Sequence, residues 1–421
     1  MSSWFPKWQP YQGKIDHRPV ATNEYLPPLQ SAVLGVQHAF AMFGATVLVP
    51  LLTGIDPLLA LFTAGLGTLL FHTVTGFKVP VFLGSSFAFI APIVIVRDKF
   101  GDLAYSTGAI AIAGLVYLLF ALLVKLLGYE KIKKLFPPVV TGSMIIIIGL
   151  SLSPVAIQWA SSNWLISLCT LAAVIFFSTF FKGFFSMIPV LMGVLIGYAV
   201  AVATGNIDFQ AVAQADWIGL PKFVFPKFDI SAILMTVPLT IATFMEHVGD
   251  ITTNGAVVGK DFVKDPGLHR TLMGDGLATS LAGILGGPAN TTYSENTGVL
   301  ALTKVYDPSV IRGAAILAIV LAFFSKFGSV LQTIPQSVIG GVSLVLFGMI
   351  ASVGIRTLVN EKVDFANSKN LLIGAVMLTL GIGGASLTLG NVELKGVALS
   401  AIAGITLNLI LPDKDKKKIN V

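Results

Sequence analysis

The chain has 421 residues, of which 55% are hydrophobic and only 11% charged, and its mean hydropathy is +0.85. Soluble proteins carry about 25% charged residues, so the composition excludes a soluble enzyme, a disordered chain and a nucleic-acid binder, and describes an integral membrane protein. The formal net charge of +6 reads as membrane topology rather than as a polyanion footprint.

In chain order, residues 1–29 are polar, carry prolines and lack the apolar run of a cleavable leader. They read as a cytoplasmic tail in which Trp4, Phe5, Lys7 and Trp8 either rest at the headgroup level, where aromatics and Lys are favoured, or belong to a frayed end. A bilayer core takes about 20 apolar residues per helix. Fourteen segments qualify: 30–52, 57–76, 79–96, 104–127, 136–157, 164–181, 184–204, 229–250, 271–286, 288–303, 309–331, 334–354, 370–388 and 396–412. Residues 413–421 form a solvated basic tail. Cys169, the single cysteine, lies in an apolar run and reads as a buried thiol; alone it can build neither an intrachain disulfide nor a cysteine-only metal cluster. When Lys and Arg are assigned to alternate sides, 21 of the 27 fall on the side of the two termini and 6 on the other. The positive-inside rule then puts both termini in the cytoplasm.

Phe136-Pro137-Pro138-Val139-Val140-Thr141-Gly142 and Ile334-Pro335-Gln336-Ser337-Val338-Ile339-Gly340 each open an apolar, β-branched helix with proline in the first turn, where a missing N–H costs little. They begin the fifth and twelfth segments. Gly108 and Lys125 ahead of the first copy correspond loosely to Gly313 and Lys326 ahead of the second. An offset of seven segments makes the second copy enter from the opposite side, an inverted repeat of the kind common in secondary transporters. The third and tenth segments should then correspond as well. Val79-Pro80-Val81-Phe82-Leu83-Gly84-Ser85-Ser86-Phe87 and Gly286-Gly287-Pro288-Ala289-Asn290-Thr291-Thr292-Tyr293-Ser294-Glu295 are both poor helices whose residues favour an extended start. Extended backbone at membrane depth survives only where protein or a wet cavity satisfies it, and paired interrupted segments point to a substrate site. The alternative is a tight seam of small residues between ordinary helices. The fold class is therefore an all-α polytopic membrane protein: 14 segments in two inverted seven-segment repeats, with two short antiparallel strands in the third and tenth, each feeding a half-helix with free N–H groups.

Ionised side chains at membrane depth are costly and face cavities or partners. Glu246, Asp250, Asp275 and Glu295 lie in or beside apolar segments. Glu246 and Asp250, four apart, share a helix face, which makes one of them a candidate proton carrier; the other reading leaves Asp250 solvated at a helix end. Asp275 reads as a helix-entry residue favoured by the dipole. His38 in the first segment and His247 in the eighth stand in matching regions, where a hydrogen bond between the two helices is attractive; packing roles are the alternative. No metal-ligand spacing, no nucleophile–base pair and no phosphate-binding loop stands out.

Glu295-Asn296-Thr297-Gly298, followed four residues later by Thr303-Lys304, resembles the signature of the nucleobase–ascorbate transporter family. There the run reads Gln, Glu or Pro, then Asn-x-Gly-x4-Thr, then Arg, Lys or Gly. Further runs resemble the family's uracil branch: Gln37-His38, Ala41 to Pro50, Leu83 to Phe89, Glu246-His247-Val248-Gly249, Asp265 to Arg270, Asn290 to Tyr293 and Glu393 to Gly396. The resemblance covers about residues 30–412. It implies a core domain (about 30–135 and 229–333), a gate domain (about 136–228 and 334–412), a homodimer in the cell membrane, and proton-coupled uracil uptake by alternating access. It implies no cofactor beyond H⁺ as coupling ion. By motif, Glu246 and Glu295 are the base-binding acids, with Phe87, Ser294 and Tyr293 lining the substrate and Glu246, Glu295, Asp250 and His38 as candidates for proton coupling. Ser294 stands where many members have Gly, and Asp250 where some have His. Glu rather than Gln at 295 favours uracil over xanthine or urate. The chemistry agrees, because carboxylates take the ring N–H donors while half-helix N–H groups take the carbonyls. A purine permease of the same family, or an anion transporter of the same architecture, are the rivals; no cationic group beside Glu295 favours the latter.

Overall fold

A computed structural model describes residues 7–13, 18–133, 136–389 and 392–412. Trp4, Phe5 and the basic tail 413–421 lie outside these.

The described chain opens with the two-residue strands β1 (Gln9–Pro10) and β2 (Glu24–Tyr25), paired in parallel. There follow α1 (Pro28–Thr53), α2 (Pro57–Val74), β3 (Leu83–Ser85), a 3₁₀ turn at Phe87–Phe89, α3 (Ile90–Phe100) and α4 (Leu103–Leu127). Next come α5 (Tyr129–Lys133), α6 (Pro138–Ser151), α7 (Ser153–Ser161), α8 (Trp164–Phe180), α9 (Pro189–Ala203) and α10 (Gln210–Gln214). The second half holds α11 (Ile230–Thr236), α12 (Thr240–Val258), α13 (Leu268–Leu285), β4 (Asn290–Thr292), α14 (Ser294–Thr303), α15 (Pro308–Leu321) and α16 (Ser325–Gln332). It ends with α17 (Gln336–Asn360), α18 (Ser368–Ile382), the hairpin β5 (Ser386–Leu389) and β6 (Val392–Lys395), and α19 (Gly396–Ile410). The hairpin occupies the end of the segment read as 370–388: Gly383 and Gly384 stop the helix early.

The protein is a multi-pass membrane protein. Among the described residues, six helical stretches are long and apolar enough to span a bilayer: α1, α2, α4, α6 with α7, α11 with α12, and α17. The pair α15 and α16 passes only as a unit bent by 85°, and α8, α9, α18 and α19 are shorter apolar helices. The outer face of α4 exposes Leu115, Leu119, Leu122 and Leu126, a helical stripe that would aggregate in water but suits lipid. Cys169 on α8 is half-buried rather than buried, because that helix also turns Leu165, Leu168 and Ile175 outward.

Helix starts recur between the two halves. α4 and α15 begin on Asp102 and Asp307, whose carboxylates accept from the N–H two residues on at 2.8 Å. α6 and α17 begin on Pro137 (φ −64°, ψ 152°) and Pro335 (φ −64°, ψ 150°). α8 and α18 begin on Asn163 and Asn367, both side-chain caps. Packing separates two groups. α13 lies on α4 and α2, with α15 on α2 and α1; α17 lies on α6, α7 and α8, with α18 on α19 and α6.

Polar loops gather on two faces. On one, Val20 donates to Lys304 O and accepts from Tyr306 N–H, both at 2.9 Å, Lys260 Nζ donates to Thr22, and Lys78 pairs with Asp265 at 2.6 Å. Trp8 meets Phe77 edge-on at 6.0 Å, and the Arg312 guanidinium stands 4.9 Å from the Phe77 ring centre. Trp8 and residues 18–26 therefore pack onto this face, with Val20 and Leu26 buried. On the other face Lys227 pairs with Asp102 at 2.9 Å, and Lys222 N–H donates to Asp56.

Candidate substrate site

β3 and β4 form an antiparallel pair among the apolar helices, Leu83 opposite Thr292, Gly84 opposite Thr291 and Ser85 opposite Asn290. The ladder extends one residue each way, with Ser86 N–H donating to Ala289 O at 2.8 Å and Tyr293 N–H to Phe82 O at 3.0 Å. All six strand residues are buried, so their outer edges need partners. Thr68 of α2 accepts from Leu83 N–H at 2.9 Å and donates to Leu83 O at 3.2 Å. Thr279 of α13 does the same for Asn290, accepting at 3.3 Å and donating at 3.1 Å. One threonine on each flanking helix thus closes one strand edge. The crossing is tight: a Cβ on Gly84 would stand 2.4 Å from the Tyr293 ring.

Each strand feeds a helix start. Ser86 leads into the Phe87–Phe89 turn and α3, while Tyr293 is the N-cap residue of α14. First-turn N–H groups have no carbonyl partner inside their own helix, so both starts present donors at depth. The acids gather at the second. Glu246 and Asp250 lie one turn apart on α12, and Asp250 is in mid-helix rather than solvated at a helix end. Its Oδ2 accepts from Thr292 Oγ1 at 2.7 Å and its Oδ1 from Ser294 Oγ at 2.8 Å. Glu246, Ser294 and Glu295 retain accessible surface. Glu295 lines a cavity of about 200 Å³ together with Ala41, Gly44 and Ala45 of α1, Ile188 to Leu191 at the start of α9, and Leu346 and Met349 of α17. This cavity lies where the two packing groups meet. Among the described residues no group of three or more His, Cys, Asp or Glu could hold a metal ion.

The remaining residues singled out in the sequence lie as follows. Phe87 is half-buried in the 3₁₀ turn. Tyr293 is buried and ties the strands to α1: its hydroxyl donates to Ser85 O at 3.0 Å and accepts from Thr46 Oγ1 at 3.3 Å, while Ser85 Oγ donates to Thr46 O at 3.0 Å. His38 is fully buried, and its partner is not His247 but Asn296, whose Nδ2 donates to His38 O at 3.0 Å and lies 3.1 Å from Nδ1. His247 instead faces Asp275 at 2.9 Å, both fully buried. Asp275 is therefore no helix-entry residue. α13 begins at Leu268, and its second turn carries Asp275 inward against α12.

Sequence reasoning passed over Asn254, whose Nδ2 donates to Pro80 O at 3.1 Å and Thr297 Oγ1 at 3.0 Å. Its signal was present: Glu246, Asp250 and Asn254 repeat at the four-residue spacing of one helix face. Thr68 and Thr279 carried no such mark, being ordinary hydroxyls in small-residue helices.

Comparison with known proteins agrees with this architecture. The Permease family matches residues 29–390. A probable uracil permease of Haemophilus influenzae is 46% identical over 403 residues, 94% of this chain and 97% of that protein. A uracil permease of Bacillus caldolyticus is 44% identical over 422 residues, covering 96% and 98%. Among solved structures, that of SLC26A9 superimposes with a TM-score of 0.68 at 11% identity, over 94% of this chain and 66% of that one, a likeness of fold alone.

Proposed function

The chain belongs to the Permease family, and on that premise we propose that it is a uracil permease that couples uptake of the base to protons by alternating access. The observation that carries the reading is the corner where Glu295 opens α14 beside the cavity and Glu246 faces outward from α12. Uracil is planar and neutral, with two N–H donors and two carbonyl acceptors. Glu246 and Glu295 take the donors, first-turn N–H groups of α14 and of the Phe87 turn take the carbonyls, and Phe87 covers the ring. A site built this way rejects analogues that leave its buried polar groups unpaired. The same two acids are the proposed proton carriers, since an acid that binds base only in one protonation state links affinity to the proton gradient.

The matched helix caps and the paired Thr68 and Thr279 closures support reading the chain as fourteen segments in two inverted repeats. The α1–α4 and α11–α15 group then moves as core against the α6–α9 and α17–α19 gate. The face bearing Lys78, Lys260 and Lys304 is assigned to the cytoplasm by the positive-inside rule, and with it both termini. The protein is expected to work as a homodimer.

Uptake of labelled uracil into proteoliposomes under an inward proton gradient tests the reading. Concentrative uptake that collapses with a protonophore, and fails in Glu246→Gln, is expected. Binding of xanthine without binding of uracil would overturn the substrate assignment, and uptake indifferent to the gradient would overturn the coupling.

A further inference from the structure

We propose that Asp250 is a positioning residue, the latch that holds the strand-to-helix corner of β4 and α14 through Thr292 and Ser294, and that it does not carry the coupled proton. The inference rests on the substrate site proposed above. Thr292 is the last residue of β4, Tyr293 the N-cap residue and Ser294 the first residue of α14. One carboxylate therefore receives a hydroxyl from each side of the corner, at 2.7 Å and 2.8 Å, one on each oxygen. The next residue is Glu295, so the latch sets where that acid and the first-turn N–H groups stand relative to Glu246, one turn back on α12.

The three acids differ in what engages them. Both oxygens of Asp250 are taken by fixed neighbours. Among the described residues no side-chain hydrogen bond ties Glu246 or Glu295 to another helix, and both retain accessible surface. A carrier must exchange its proton with water or substrate in each cycle. Glu246 and Glu295 do so without breaking a tie between helices, whereas Asp250 would have to release the corner. The latch also explains Ser294 in chemical terms. Its hydroxyl is turned to Asp250, so that it serves the corner.

A double-mutant cycle on purified full-length protein tests this, with Ser294→Ala, Asp250→Asn and the pair. Equilibrium binding of labelled uracil should weaken about tenfold in each single variant, the size of one lost hydrogen bond to a charged group. The double variant should be no weaker than Asp250→Asn, because the tie that Ser294→Ala removes is one of the two that the Asp250 carboxylate makes, the other running to Thr292. Ser294→Thr, which keeps the hydroxyl, should restore binding. The proton-to-uracil ratio and the pH inflection of binding should persist in Asp250→Asn. The other titratable groups at the corner are Glu246 and His247 on α12, Glu295 on α14, Asp275 on α13 and His38 on α1, and Glu246→Gln or Glu295→Gln should move that inflection. Losses that multiply in the double variant, or a coupling ratio abolished by Asp250→Asn, would overturn the latch. Amide hydrogen exchange across residues 290–297 without ligand separates this inference from the reading beneath it. Exchange that quickens in both singles, and no further in the double than in Asp250→Asn, upholds the latch even if the parent protein binds no uracil. Exchange effects that add, in a parent that does bind uracil, sink the latch and spare the substrate assignment.

Discussion

The two strand-to-helix corners share a backbone plan and differ in chemistry. β3 and β4 pair over three residues, each is extended by one ladder bond, and each has one edge residue closed by a threonine of the preceding helix. Beyond the strands they part. The first corner runs Ser86-Phe87-Ala88-Phe89, starts as a 3₁₀ turn and has no side-chain cap. The second runs Tyr293-Ser294-Glu295-Asn296 and is gripped by Asp250 and His38. Duplicated backbone supplies donors from both sides of the crossing, while charge is confined to one. On the proposed function, two corners of like backbone and unlike charge would suit an unsymmetrical ligand such as uracil, whose donors and acceptors alternate around one ring.

The largest predicted effect falls on what the corners share. A methyl group on Gly84 would meet the Tyr293 ring at 2.4 Å, and Tyr293 is itself fixed by Ser85 and Thr46. Gly84→Ala should therefore separate the strands and abolish both uracil binding and the cooperative thermal transition. Gly84→Ala combined with Tyr293→Phe should remain defective, because the ring carbons, not the hydroxyl alone, occupy the space. A Gly84→Ala protein with parental binding would mean the crossing is looser than described. Next in size is the asymmetry. Glu295→Gln should weaken uracil binding by about 1.5–3 kcal/mol, roughly tenfold to a hundredfold, whereas Phe87→Leu at the other corner should cost about tenfold or less through lost ring contact. Equilibrium binding measures both. Equal losses at the two corners would remove the distinction between a charged corner and a covering one.

How much of this was legible follows the same division. Interrupted segments announce themselves, because Pro, Gly and β-branched residues break the apolar helical run at 79–87 and 286–293, and β3 and β4 lie inside those two stretches. The acids were legible for a related reason: a carboxylate in a segment that must cross lipid has few neutral explanations. Their partners were not. Nothing in one dimension tells whether His38 meets His247 or Asn296, since both lie on helices that pass the same crossing, and only the packing angle decides. Asp275 was misplaced because the helix entry was set three residues late, at 271 rather than at Leu268, which moved an inward-facing acid to a terminus. The folded residues before α1 escaped for want of periodicity: Val20 and Leu26 are buried by two backbone bonds and a few apolar contacts, not by a helix.

A paired substitution probes whether the frame is as symmetrical as its hydrogen bonds. Thr68→Val and Thr279→Val keep side-chain shape and remove the hydroxyl that serves a buried N–H and C=O. Each should destabilise by about 1–3 kcal/mol, the cost of leaving a buried polar group unpaired, and thermal unfolding in detergent should fall by similar amounts in both. A drop confined to Thr279→Val would show that the charged corner alone depends on its strand edge.

The smallest effect lies outside the membrane and serves as the contrast to both corners. Arg18 and Glu24 pair at 2.7 Å on the exposed face that carries the residues before α1. The hydrogen bond from Arg18 holds the Glu24 carboxyl below its ordinary value of 4.5. A depressed carboxyl contributes stability that is present above its unfolded value and is lost as the pH falls through the folded one, so the tie should loosen only below about pH 4.5. Because the pair is exposed, solvent and salt screen it. Limited proteolysis within residues 18–27 should quicken on acidification in the parent and proceed at an already faster, pH-insensitive rate in Glu24→Gln, with uracil binding unchanged at neutral pH. A Glu24→Gln protein that keeps the parental acid response would overturn the assignment of that response to the Arg18–Glu24 pair. The Arg18–Glu24 pair ties only surface residues before α1, whereas the Ser294 hydroxyl helps fix the corner that carries Glu295, and that is why one hydroxyl at Ser294 is expected to outweigh a whole ion pair at Arg18 in uracil binding.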